Sequence, residues 1–304
     1  MELNGGIRMN FEEFKRKIAV EMKQRIESGE VKIENIVKNN GVNLTGLVMI
    51  GQDTNLSPTI YLEPYFEELQ DKSFTQIAED IWQNYLKNKN SHKVDISQFT
   101  EWRKAKDRIT VKLINYADNQ ELLQTIPHEK YLDLAVVYYY ITDFCGSGTG
   151  TILINNFHLE LWGIEKDELH SMAVSNYKKL YRIEVESMQD ILATFLKDFP
   201  VEADYAMDDS PVKMYVVTNH LKLYGAAVMF FPEELKKIAD NWECDLSIIP
   251  SSVHEIIVVP GWQDDVKHMK SMVCEVNESV VDKMEQLSNS VYYYARENDR
   301  IQIV

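Results

Sequence analysis

Residues 31–50 read VKIENIVKNNGVNLTGLVMI, two runs rich in β-branched and aliphatic side chains on either side of Asn39-Asn40-Gly41. Asn-Gly supplies the positive φ values that a type I′ turn needs, so Val31–Val37 and Val42–Ile50 are predicted to fold back on each other as a hairpin. Upstream, Phe11, Phe14, Ile18, Val20, Met22 and Ile26 fall only roughly at helical spacing behind Asn10, with Glu13 placed to complete a capping box. Downstream, the Ser57-Pro58 break precedes a third strand over Thr59–Leu62, and Phe66, Leu69, Ile77, Ile81, Trp82 and Tyr85 put apolar residues on helices ending near Asn88.

Beyond a polar stretch at Lys87–Thr100, Arg108–Ile114 alternates as a strand, Asn119–Leu123 suggests a short helix, and Leu132–Ile141 is a nearly continuous β-branched and aromatic run expected at the centre of a sheet. Thr151–Asn155 follows as a further strand and Lys166–Leu180 as a helix. Lys213–Thr218 and Ala226–Phe231 read as a hairpin, Pro232 opens a helix through Trp242, and Leu246–Ile249 is extended. The tail predicts helices around Asp264–Val273 and Ser279–Leu287, then strands at Val291–Tyr294 and Ile301–Val304. The expected class is α+β, antiparallel or mixed sheets built from hairpins with packed helices, because a doubly wound sheet would alternate single strands with crossover helices. Leu132–Val185 and Lys213–Val259 share an order of strand, hairpin, helix, strand, a weak internal pseudo-repeat. Two lobes are expected, residues 1–90 and residues 91–304.

The chain has 304 residues, 48 acidic against 32 basic, for a formal charge of -16. A field of that sign repels phosphate backbones and anionic membrane surfaces, so nucleic acid is an unfavourable partner. No apolar run approaches the roughly 20 residues of a spanning helix, and the first seventeen residues lack an apolar signal core. Cys145, Cys244 and Cys274 are widely spaced and include no CxxC pair, which fits a reducing cytoplasm better than a disulfide framework or a thiolate zinc site.

Several segments carry a resemblance. Asn43–Ile50 with Pro58–Glu63, Asp133–Val137, Trp162-Gly163 with Asn176, Met214–Asn219, Gly225-Ala226-Ala227 and Pro250–Glu255 together resemble an uncharacterised domain-of-unknown-function family of clostridia and related Gram-positive bacteria, distantly similar to the YtpQ-like proteins. The resemblance covers the chain from about Met9 onward and carries no catalytic residues with it. It implies a cytoplasmic bacterial protein, in a setting such as a mobile element.

Ser251-Ser252-Val253-His254-Glu255 is the sharpest polar cluster, with hydroxyls, an imidazole and a carboxylate close in sequence. A zinc protease needs two histidines one helical turn apart, but four β-branched residues follow Glu255; a hydrolase elbow needs glycines around its serine, and there are none. Gly146–Gly150 leads into a strand where a phosphate loop would open a helix. The run from Glu184 to Asp209 carries Glu184, Glu186, Asp190, Asp198, Glu202, Asp204, Asp208 and Asp209 against Lys197 alone, without the ligand order of an EF-hand. Tyr138-Tyr139-Tyr140 and Tyr292-Tyr293-Tyr294 lack the interleaved cations of a base-stacking surface and read as two-faced strands. None of these patterns calls for a metal or a cofactor.

The sequence therefore favours a nonenzymatic interaction or regulatory protein, an anti-defence accessory among the options, whose Glu202, Asp204, Asp208 and Asp209 meet a protein partner with a basic surface. The alternative is a hydrolase using Ser251 or Ser252 with His254 and Glu255. A third reading takes the αβββα order of Asn10–Asn88 as an RNA-binding module similar to double-stranded-RNA-binding domains, against which stand its acidic balance and the missing basic helix start.

Overall fold

The computed structural model describes residues 9–26, 28–52, 57–89, 95–144, 148–198, 213–250, 252–261 and 266–304. It divides into two compact units, one of residues 1–38 and 42–96, the other of residues 39–41 and 97–304. Among the described residues the strands form three antiparallel sheets accompanied by helices, an α+β architecture.

In the first unit, α1 (Phe11–Arg25) precedes β1 (Gly29–Val37), β2 (Asn43–Gly51) and β3 (Thr59–Tyr61), which pair in that order. A short α2 (Glu63–Glu67) leads to α3 (Phe74–Asn88). The hairpin register runs from Gly29 opposite Gly51 to Val37 opposite Asn43. Asn40 and Gly41 take φ of 58° and 67°, the left-handed values for which Asn and Gly are the least strained residues. Asn10 caps α1 by accepting from the Glu13 amide at 2.9 Å, and Ser73 with Gln76 forms a reciprocal box at the start of α3. Phe14, Ile18 and Met22 of α1 meet Leu47 and Met49 of β2 and Ile77 and Ile81 of α3 in one apolar core.

The second unit opens with two single-turn helices, α4 (Ser97–Thr100) and α5 (Trp102–Ala105). Its first sheet holds β4 (Ile109–Asn115), β5 (His128–Tyr131), β6 (Leu134–Phe144) and β7 (Gly148–Leu153), with α6 (Gln120–Leu123) between β4 and β5. All three other strands pair with β6, whose residues Leu134–Tyr140 are almost wholly buried, which is why that segment shows no alternation. There follow α7 (Asn156–Trp162), α8 (Lys166–Leu180), β8 (Ile183–Ser187), α9 (Met188–Asp198), β9 (Tyr215–Asn219), α10 (Pro232–Trp242), β10 (Leu246–Ile249), β11 (Ile256–Pro260), α11 (Val266–Ser279), β12 (Tyr292–Ala295) and β13 (Arg300–Ile303). The second sheet has the order β13-β12-β10-β11-β9-β8. Asn39–Gly41 belong to this unit: Asn40 donates its side-chain amide to the carbonyls of Lys283 and Gln286 at 2.7 Å and exchanges hydrogen bonds with buried Asn119.

Three local expectations differ from what forms. Gly225–Phe230 is a 3₁₀ segment and not the second arm of a hairpin with Lys213–Thr218. Ala226, Ala227, Val228 and Met229 are all fully buried, and a continuous apolar run carries no period by which strand and helix differ. The second copy of the expected pseudo-repeat therefore lacks its hairpin at that point. In the tail, one helix occupies Val266–Ser279, whereas residues 280–288 form turns, not the helix expected at Ser279–Leu287. There Asp282 accepts the Met284 amide, and Gln286 donates to the carbonyls of Asn277 and Val281, side-chain bonds that replace a helical ladder. β5 is the strand that periodicity missed.

Candidate functional site

β8 begins where α8 ends, and its Ile-Glu-Val-Glu order alternates β-branched with acidic residues as a strand with two unlike faces requires. It pairs antiparallel with β9, Ile183 opposite Asn219 and Ser187 opposite Tyr215. The ladder's phase is set at its two ends, where the His220 amide donates to the Arg182 carbonyl and the Met188 amide to the Met214 carbonyl, both at 3.0 Å. Even-numbered residues thus bond inward to β9, and Ile183, Val185 and Ser187 turn their N–H and C=O groups away from the sheet. No strand pairs with that outer side among the described residues.

Each face of this edge borders a groove. On one side Ile183 and Val185 stand opposite Ile238 and Trp242 of α10, with Glu234 and Lys237 at the rim, around about 360 Å³. Pro232 starts α10 without losing a helical bond, and Leu235, Ile238 and Ala239 bury its inner face. Trp242, at the far end of α10, rests on Tyr215 of β9 with ring centroids 4.4 Å apart. On the other side Glu186, Met188, Ile191, Thr218, Lys222 and Glu255 enclose about 280 Å³. Glu184 lies opposite Thr218 in the ladder and shares this second face with Glu186. The nearby cations are well exposed: Arg182 bonds Glu184 at 2.8 Å and Lys222 stands 3.9 Å from Glu186.

Of the sequence-derived hydrolase residues, Ser251 lies outside the described residues, and Ser252, His254 and Glu255 sit in the bend that enters β11. Ser252 Oγ donates to Glu255 Oε1 at 2.6 Å and accepts the His254 amide at 3.0 Å, which makes the hydroxyl part of a local turn. The His254 ring points elsewhere. Its Nδ1 accepts the Tyr224 amide at 3.2 Å, leaving Nε2 to carry the proton 3.8 Å from Glu285 Oε1. The ring stacks on Tyr224 at 5.3 Å, and Lys112 Nζ stands 4.2 Å from the centre of that same tyrosine ring. Thr218, Asn219, Tyr224 and Gly225 thus meet His254 here. Glu255 faces the second groove beside β8.

Glu202, Asp204, Asp208 and Asp209 fall outside the described residues, as do Cys145, Gly146 and Ser147. The head of the acidic run does not: Glu184 and Glu186 are β8 itself, and Asp190 is in the first turn of α9. Among the described residues no group of three or more His, Cys, Asp or Glu is placed to hold a metal ion, and no helix is long and apolar enough to cross a membrane. Asn176 of α8 donates to the carbonyls of Lys106 and Ile109. In the first unit Lys72, beside the start of α3, is held by Glu68 at 2.9 Å and Asp80 at 2.8 Å. Sequence reasoning registered the charge of β8 without its status as an edge; the period-two signal at residues 183–187 was available, but which strand ends a sheet is not a local property.

A model described as a family of unknown function, DUF5688, matches residues 11–296. The chain belongs to that family. No curated protein and no solved structure matches it. The site therefore has to be read from its own chemistry.

Proposed function

We propose that this protein is a nonenzymatic interaction protein, regulatory in role, that receives an extended segment of a partner protein as an added strand on β8. The observation that carries the reading is the outward N–H and C=O groups of Ile183 and Val185, set between a groove against α10 and a groove against α9. An unpaired edge offers main-chain hydrogen bonds to any extended chain, and flanking pockets for alternate side chains supply selectivity. Natural edges are guarded by short length, charge, proline or bulges; β8 is five residues long without proline, and its guarding charges, Glu184 and Glu186, are both negative and so repel acidic strands and admit basic ones. The chain's formal charge of -16 favours a partner of opposite sign and a fast, salt-sensitive encounter.

The test is a library of random heptapeptides displayed on phage, panned in parallel on the native chain and on Val185→Pro. Proline at 185 removes one outward N–H and no bond to β9, so the fold should survive, as shown by an unchanged melting temperature. Enrichment on the native chain that disappears on the variant supports strand addition. Equal enrichment on both, or none on either, overturns it.

A further inference from the structure

Strand addition at β8 fixes which partner side chain meets which face. We infer that the partner segment is an extended peptide alternating apolar and basic residues, an inference that rests on the strand-addition reading above. In an antiparallel ladder, residues directly opposite each other share a face. Partner residues opposite Ile183 and Val185 enter the apolar groove with Ile238 and Trp242. Those in between lie over Glu184 and Glu186, with Glu255 behind them in the second groove. The cations now beside those carboxylates are poor competitors. Arg182 and Lys222 are 77% and 68% exposed, and exposed pairs of this kind exchange with water or a new partner at little cost.

The same geometry argues against a second copy of this chain as the occupant. With the outward groups of Ile183, Val185 and Ser187 engaged on both copies, even positions face even positions. The registers that overlap most of the strand set Glu184 against Glu186, or Glu184 against Glu184, and like charges directly opposite are destabilising. A lysine or arginine on the incoming strand meets the same positions with opposite sign.

The experiment measures binding of two fluorescein-labelled heptapeptides, one alternating valine with lysine and one alternating valine with glutamate, by anisotropy at low salt. The lysine peptide should bind the native chain at least about tenfold more tightly, and the double variant Glu184→Lys with Glu186→Lys should reverse the order. The lysine peptide N-methylated at its valines, whose N–H groups face β8, should not bind, a control that does not depend on any variant folding. If the two peptides bind alike and both are lost with Val185→Pro or with N-methylation, the charge rule is wrong and strand addition stands. If binding ignores both Val185→Pro and N-methylation, or neither peptide binds, both readings fall. A dimer in sedimentation that Val185→Pro dissociates would make a second copy the occupant and overturn the basic peptide.

Discussion

The Thr218 hydroxyl donates to the His254 carbonyl at 2.7 Å and so ties β9 to the bend that enters β11. Gly225 lies against this bond. A Cβ built on it would come within 2.5 Å of the His254 carbonyl oxygen and 2.8 Å of the Asn219 amide nitrogen, both backbone atoms that cannot rotate aside. Gly225→Ala is therefore expected to cost about 3 kcal/mol, from overpacking and a displaced hydrogen bond. Urea unfolding measures it, and a midpoint within error of the native chain would refute it.

Asp133 is held by three hydroxyls. Its Oδ2 accepts from Ser288 at 2.7 Å and Ser290 at 2.9 Å, and its Oδ1 from Tyr292 at 2.5 Å. Tyr292 is fully buried on β12, whereas Asp133 immediately precedes β6, so one carboxylate joins the two sheets of the second unit. Asp133→Ala strands three donors and should cost about 2–4 kcal/mol; Tyr292→Phe removes one bond and should cost about 1–2 kcal/mol. Equal losses from the two variants would mean that the tyrosine alone carries the link.

Alkali should unfold this protein through its tyrosines. Burial pushes the Tyr181 phenol up to about 12, with its hydrogen bond to Tyr139 pulling the other way, and burial holds Tyr139 well above the ordinary value. Unfolded tyrosines release protons near pH 10, which the folded ones still keep, so the unfolded state binds fewer protons above that pH. Stability is then constant with respect to these groups below about pH 10 and falls from there toward about pH 12 and beyond. Urea midpoints at about pH 9 and about pH 11, followed by tyrosinate absorbance, read this directly. A midpoint that does not fall over that interval contradicts it.

One substitution should stabilise. Glu243 ends α10 with φ of 56°, a left-handed cap at an exposed position where glycine is unstrained, and its side chain offers the fold an exposed attraction to Arg296. Glu243→Gly is expected to raise stability by about 1 kcal/mol, seen as a higher melting temperature. A lower one would show that the Glu243 side chain contributes to the fold.

Both tyrosine triplets illustrate how far local sequence reaches. Their β-branched and aromatic surroundings placed them on strands, and they are strands. That the three phenols of Tyr292-Tyr293-Tyr294 donate to Asp133, Asp245 and Asp299 in turn was invisible, because two of those aspartates lie 159 and 48 residues away. The Ser252, His254 and Glu255 cluster failed to act as a unit for a related reason. Adjacency brought Ser252 to Glu255, but the imidazole partner is the Tyr224 amide, 30 residues upstream. Where a signal was short-ranged, as at the Asn40-Gly41 turn, the Pro232 helix start and the Lys166–Leu180 helix, sequence and structure coincide.

By itself the chain's sequence determined its strongly negative field, the αβββα order of its first ninety residues and most of its later helices and strands, since charge, capping and periodicity are properties of neighbours. Tertiary structure alone decided that β8 would stand at the end of its sheet between two grooves, with no strand on its outer side among the described residues. Strand order is settled by which faces bury against one another across long stretches of chain, and no five-residue segment carries that information.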